Sequence, residues 1–460
     1  MKVAVAEPTW LAPNDEAALR WALSLARLSA VPLMDEGQSV VDIGRALDGY
    51  RKELHRLLEP CFDEQRVRRE AVSTQIGRIR DLAGRERAEL LRLYGGRMPA
   101  KSLDRAVRKR PLALTLGGGG GTVYVCIGAL AVLDEAGLVP SLITGTSMGA
   151  IVGAFRAREK EFSLPNIRAT LDRLSWRRVF RLFDTDSRFG LPATLKLFLR
   201  EVIGHEFERD GRFLTLDDLE IPFRVCVAGL SGGESEEELN RYAHLLDDAV
   251  LDIRSFRRRA SGIGRALNEI TRQPVRPVYL GGDELTGAFD VLDAIGFSSA
   301  VPGIIHYDIL RDDPRMIALT ADIMRREGVF RFVDGGFADN LPAVEALRAI
   351  QTGAIAERDP FILALDSFAP RLTTRHLLFL PLMRLAAENT KLGRDVAHLT
   401  LTFRNVLSPL TVVPTPNEFN RALENGRREM EPLIPLVRKM VGPIPEPPGI
   451  LTELDGQYSE

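Results

Sequence analysis

"LALTLGGGGGTVYVCIGALAVLDEAGLVPSLITGTSMGAIVGAFRARE", residues 112–159, decides how the rest of the chain is read. A short apolar run, "LALTL", is followed by the helical pattern "VCIGALAVLDEAG", a second short run, "SLITG", and a second helical pattern, "MGAIVGAFRARE". Strand, helix, strand, helix in that order predicts a mostly parallel α/β sheet with helices on both faces. The uncharged runs 111–133 and 136–155 are about as long as membrane spans. Five consecutive glycines interrupt the first and "PSLITGTSMG" breaks the second, so neither can keep its backbone satisfied as one helix in hydrocarbon. A fully covered parallel sheet and its buried helix produce the same uncharged runs.

Upstream, residues 14–110 carry apolar positions at helical spacing in "DEAALRWALSLARL", "VVDIGRALDGYRKELHRLL" and "VSTQIGRIRDLAGRERAELLRLY", and "GGRMPAKS" punctuates the boundary. Downstream, "FRVCVAGL" (223–230), "RFVDGG" (331–336) and "PFILALDSF" (360–368) read as further strands, and the last 90 or so residues return to helical patterns with proline-rich breaks. The expected organisation is a helical N-terminal region over 1–110, an α/β domain over 111–370 and a helical C-terminal region over 371–460. Within the middle domain, 234–290 stands apart: an acidic block, "ESEEELNRYAHLLDDAV", precedes the arginine-rich "RSFRRRASGIGRALNEITR". It reads either as a solvated helical hairpin or as a cap or lid with a basic membrane-facing surface.

The 61 basic and 63 acidic residues nearly cancel, which removes any global field that would gather nucleic acid or an anionic bilayer. Three cysteines, Cys61, Cys126 and Cys226, sit in apolar surroundings without zinc spacing, as buried thiols of a reducing compartment do. The N-terminus has charges in every apolar run, unlike a secretory signal. The expected location is the cytoplasm, or the periphery of a membrane.

Chemistry concentrates in three places. Gly145-Thr146-Ser147-Met148-Gly149 is a G-x-S-x-G between an apolar strand and an apolar helix, the setting of a nucleophilic serine on a sharp turn. There the hydroxyl stands at a helix N-terminus, whose dipole and free N–H groups favour negative charge. In "FRFVDGGFADNLPAVEAL", Asp334 closes an apolar strand and could accept the serine proton, although Asp-Gly is also ordinary turn chemistry. The glycine run lacks the lysine of a phosphate-binding loop and the spacing of a dinucleotide fingerprint, which leaves an anion nest suited to an oxyanion. Among the six histidines only His376 and His398 fall late enough to complete a serine triad, and both read as members of helix or strand faces.

A glycine-rich loop, then "GTSMG", then "DGG" followed by "ADNLP", in that order, resembles the patatin-like phospholipase family. "FLTLDDLEIPFRVCVAGLSGG" and "FSSAVPGII" are similar to it as well, and the resemblance covers roughly residues 111–370. It implies an acyl hydrolase with Ser147 as nucleophile, Asp334 as base and Gly118, Gly119, Gly120 and Gly121 as the oxyanion hole, supported by Gly145, Gly149, Gly335 and Gly336. It implies no metal or other cofactor, and a lipid or membrane-surface substrate rather than nucleic acid. The chain departs from the family where Thr122 and Val123 replace its basic residue and last glycine. That change keeps a second expectation open, a non-catalytic or weakly active lipid-binding regulatory protein on the same scaffold, beside a third, an acyltransferase or thioesterase using the same serine. "LSWRRVFRLFDTDSRFGLPATLKLFL", with Trp176, Phe180, Phe183, Phe189 and Phe198, is read either as the wall of the substrate entrance or as an ordinary amphipathic pair filling a core.

Overall fold

The computed structural model describes residues 11–33, 39–63, 66–182, 187–231, 274–368 and 380–450. The chain forms two compact units, one built from residues 1–112, 349–361 and 432–460, the other from 113–348 and 362–431.

The first unit is mostly helical: α1 (Pro13–Arg27), α2 (Asp48–Leu58), α3 (Arg69–Tyr94) and α4 (Ala100–Arg108). Their apolar stripes, including Trp21, Leu25, Leu54, Ile79, Leu82 and Leu103, form one buried cluster. Arg87, almost fully buried, is matched by a two-pronged pair with Asp104 at 2.8 and 2.7 Å. The helical reading of 40–58 holds only from Asp48, because Val40–Asp42 pairs as a strand with Ala30–Pro32. Residues 432–460 join this unit, with the Ile444 N–H donating to the Arg108 carbonyl at 3.0 Å.

The second unit is built on seven strands: β1 (Leu112–Leu116), β2 (Leu142–Thr146), β3 (Phe223–Leu230), β4 (Val275–Leu280), β5 (Arg331–Asp334), β6 (Phe361–Asp366) and β7 (Leu399–Thr402). Their order is β4-β3-β2-β1-β6-β7, with β5 also on β3. The β1–β2, β2–β3 and β6–β7 pairs are parallel; β4 and β5 run antiparallel to β3. Every residue of β1, β2, β3 and β6 is buried, which is why these strands read as continuous apolar runs. The helix after β1, α5 (Tyr124–Glu135), is apolar nearly all round because α8 (Pro416–Met430) covers it. The two helices touch through glycines: a Cβ on Gly128 would overlap the Leu423 carbonyl oxygen, and one on Gly426 that of Val125. Residues 275–280, placed by sequence inside the possible lid, are instead the edge strand β4, held to β3 by six paired residues. Residues 234–273 of that segment lie outside the described residues.

Helix α7 (Val291–Ser298) packs against β3 and β5 and is anchored at its start by charge. Asp293, fully buried, accepts from Arg311 Nη2 at 2.6 Å, Arg200 Nη2 at 2.9 Å and the Tyr307 hydroxyl at 2.6 Å. Asp290 adds bonds from Arg200 and Arg315. Buried carboxylates persist when matched this fully, and here they fix the register of α7, whose far end reaches Ser147.

Candidate active site

Ser147 lies between β2 and α6 (Met148–Ala157), with φ 54° and ψ −131°. A side chain in that region is strained, so the turn persists only where its surroundings hold it. Ala150 N–H closes it onto the Ser147 carbonyl at 2.8 Å. The flanking residues must be glycine: a Cβ on Gly149 would lie 2.6 Å from the Leu116 oxygen, and one on Gly145 2.8 Å from Ala150 Cα. The Ser147 N–H donates to Ser298 Oγ at 2.8 Å, and that hydroxyl donates to the Cys226 carbonyl at 2.6 Å.

Strand register brings the carboxylate to the serine. On one edge of β3, Cys226 pairs with Thr146, the last residue of β2, and the next residue, Val227, pairs with Asp334, the last of β5. The two strands therefore end head to head. The Ser147 hydroxyl donates to Asp334 Oδ2 at 2.6 Å, Oδ1 accepts the Gly336 N–H at 2.8 Å, and the Asp334 N–H donates to the Ala300 carbonyl at 2.9 Å. Burial pushes the Asp334 carboxyl up to about 6, against the downward pull of the Ser147 and Gly336 hydrogen bonds. Near neutral pH it is still mainly ionised and can receive a proton. Asp339 behaves alike, raised by burial to about 6 while it accepts from the Tyr279 hydroxyl at 2.8 Å.

The glycine loop is fastened at its ends. Gly118 N–H donates to the Asn340 carbonyl at 3.1 Å and Gly121 N–H to the Pro409 carbonyl at 2.9 Å, so these two amides are already engaged. Gly119 and Gly120 begin the following 3-10 turn, where N–H groups lack an intrahelical acceptor, and both line the cavity beside Ser147. Of the four predicted oxyanion glycines, the geometry leaves these two available. Thr122, where the family carries a base, is buried and turned back: its hydroxyl donates to the Gly119 carbonyl at 2.9 Å and lies 3.1 Å from Ser367 Oγ. It fastens the loop rather than facing the cavity.

The cavity above Ser147 and Asp334 measures about 460 Å³ and its wall is overwhelmingly aliphatic and aromatic. Met148 and Ile151 come from α6, Leu195 and Leu197 from the strand Ala193–Leu197, Val301, Ile304 and Ile305 from the segment after α7, and Phe368 from the end of β6. Of the proposed entrance residues, Trp176 and Phe180 line it, their rings 4.6 Å apart with Trp176 half exposed. Phe189 is buried, and Phe198 lies under Arg181 and Lys196. Phe183 and His376 lie outside the described residues. His398 Nδ1 accepts the Ile362 N–H at 3.1 Å, which ties its ring to β6. All three cysteines are buried free thiols. Among the described residues no cluster of three metal-ligating side chains occurs, and no helix is long and apolar enough to cross a membrane.

Sequence reasoning missed the groups that hold this site from afar. Asn389 Nδ2 donates to the Gly336 and Phe337 carbonyls at 3.1 and 2.7 Å, and Asn340 Nδ2 to Thr390 Oγ1 at 3.1 Å. Nothing in "AAENTK" signals this role. The serine pair in "FSSAVPGII" was visible as a motif without a function.

Over 133 residues the chain is 32% identical to "Lysophospholipase nte1" of Aspergillus fumigatus, a match covering 28% of this chain and 8% of that protein. Over 67 residues it is 42% identical to "Patatin-like phospholipase domain-containing protein 7" of Mus musculus, covering 15% and 5%. The matched stretch is thus a small part of either relative's length. Among solved structures, VipD from Legionella pneumophila aligns over 71% of this chain and 67% of its own at 12% identity, with a TM-score of 0.33. The family model for patatin-like phospholipases matches residues 114–347, just over half of the chain, from within β1 to beyond the "DGG" turn. With its mostly parallel sheet, its serine turn and its glycine loop, the chain belongs to the patatin-like phospholipase family.

Proposed function

We propose that the chain is a lipid acyl hydrolase in which Ser147 attacks a fatty-acyl ester and Asp334 takes its proton. The observation that carries this reading is the 2.6 Å hydrogen bond from the Ser147 hydroxyl to a buried Asp334 at the floor of an apolar cavity. The carbonyl carbon bonds to Ser147 Oγ, and the developing oxyanion faces the Gly119 and Gly120 N–H groups. Asp334 returns the proton to the leaving alkoxide, which departs as an alcohol. Water then attacks the acyl-serine with Asp334 again as base, releasing fatty acid and restoring Ser147. The cavity suits an acyl chain, since it lies within the usual range for small-ligand pockets and offers few polar partners. The lysophospholipase name of a relative supports a lipid ester as the first substrate to try.

The test is fatty acid release from a lysophospholipid and from a monoacylglycerol by wild type and Ser147→Ala. Turnover by wild type alone supports the reading; equal turnover by the variant, or none by wild type in either assay, contradicts it. Added alcohol or thioester substrates in the same assay separate hydrolysis from acyl transfer.

A further inference from the structure

We infer that Ser299 is a substrate-contacting residue whose hydroxyl donates a hydrogen bond to the leaving oxygen of the bound ester, and later to the water that takes that place. The inference rests on the proposed hydrolase reading. Two of the three consecutive residues at and just past the end of α7 each hold one member of the Ser147–Asp334 pair. Ser298 Oγ accepts the Ser147 N–H at 2.8 Å, and the Ala300 carbonyl accepts the Asp334 N–H at 2.9 Å. Ser299 lies between them and lines the same cavity.

Its own hydroxyl is unpaired. Ser299 is 7% exposed, and its Oγ, shielded from solvent, has no hydrogen-bond partner among the described residues, so the hydroxyl is free to turn toward an ester bound in the cavity. A serine ending a helix ordinarily bonds back to a carbonyl of the preceding turn or reaches water, and buried polar atoms without a partner are few in folded proteins. Three other polar side chains on the cavity wall have partners within the protein. Ser147 and Asp334 bond to each other, and the Asn340 amide donates to Thr390. An acyl ester bound at Ser147 presents two oxygens. The carbonyl oxygen belongs to the free amides of the glycine loop, which leaves the alkoxy oxygen as the group that a hydroxyl from α7 can serve.

In the reaction Ser299 transfers no proton. As the bond from the carbonyl carbon to the alkoxy oxygen breaks, that oxygen receives the proton Asp334 took from Ser147, while the Ser299 hydroxyl orients it and stabilises its growing charge. In deacylation the attacking water occupies the same position, gives its proton to Asp334 and accepts the same hydrogen bond. The benefit should scale with how poor the leaving group is. A glyceryl alkoxide needs the hydrogen bond, whereas p-nitrophenolate disperses its charge into its ring.

The experiment compares wild type with Ser299→Ala and Ser299→Cys on two esters of one fatty acid, a monoacylglycerol and a p-nitrophenyl ester. Expected is a loss of about tenfold in kcat/KM on the glyceryl ester, the worth of one hydrogen bond, with less than about a threefold change on the p-nitrophenyl ester. Ser299→Thr, which keeps a hydroxyl, restores the glyceryl activity, and the rate of fluorophosphonate labelling at Ser147 is unchanged in all variants. Equal losses on both esters, slowed labelling, or undiminished glyceryl turnover would overturn the role. The cysteine variant, close to serine in shape and a poor donor, decides the matter if the alanine variant does not fold. A wild-type chain that cleaves neither ester removes the hydrolase reading itself, an outcome distinct from any pattern among the variants.

Discussion

Replacing Asp334 with asparagine should remove activity and, above pH 6, make the protein more stable. The carboxyl is buried and its value is raised from 3.8 to about 6, roughly two units at 1.36 kcal/mol each, or about 3 kcal/mol. Because the folded value lies above the unfolded one, this group favours folding least when ionised. Its contribution is intact below about pH 4, where both states are protonated, and is lost as pH rises through about 6. Asparagine carries no such penalty at any pH. Its oxygen can still accept the Gly336 N–H, and its amide can donate to the Ser147 hydroxyl, so little packing is disturbed. The variant's unfolding free energy minus that of wild type should therefore climb by about 3 kcal/mol between pH 3.5 and pH 8. Taking the difference between the two proteins removes Asp339, which titrates over the same range in both. Asparagine cannot take the serine proton, so ester turnover should drop on the order of 10⁴-fold. Urea unfolding across that pH range, with ester hydrolysis at pH 8, measures both effects. A difference in stability that stays flat with pH would show that burial does not raise the Asp334 carboxyl, and a variant within tenfold of wild-type turnover would show that it is not the base.

The same carboxyl sets the pH profile: kcat/KM for an ester should rise with pH through a midpoint near 6 and then level off, and a profile flat from pH 5 to pH 8 would argue against Asp334 as the base. Gly426→Ala puts a methyl group against the Val125 carbonyl where α8 crosses α5, and should cost about 1–3 kcal/mol in urea unfolding. Asp293→Ala leaves Arg200, Arg311 and the Tyr307 hydroxyl without their shared acceptor and should cost about 3–5 kcal/mol, with ester turnover falling as the end of α7 loosens.

Much of the fold was legible because it is local. β1, β2, β3 and β6 are covered on both faces, so burial wrote itself into the sequence as uninterrupted apolar runs. The strained turn at Ser147 was legible through Gly145 and Gly149, positions where any side chain would collide with a neighbouring strand or helix. What escaped the sequence depends on partners far along the chain. "VRPVYL" has the composition of an edge strand or a loop, and only its pairing with β3 decides between them. The glycine run offers four apparently equivalent amides, and the Asn340 and Pro409 carbonyls, more than 200 residues away, engage two of them. Likewise, periodicity reports that Ser298 and Ser299 end a helix, but not that this end abuts both Ser147 and Asp334.

Activation of Ser147 as a nucleophile is read out by reaction with a fluorophosphonate followed by mass spectrometric mapping of the adduct. A single adduct is expected on Ser147, absent from Ser147→Ala and formed far more slowly in Asp334→Asn. Folded wild-type protein that takes up no label, or label on another residue that survives Ser147→Ala, would contradict activation of Ser147.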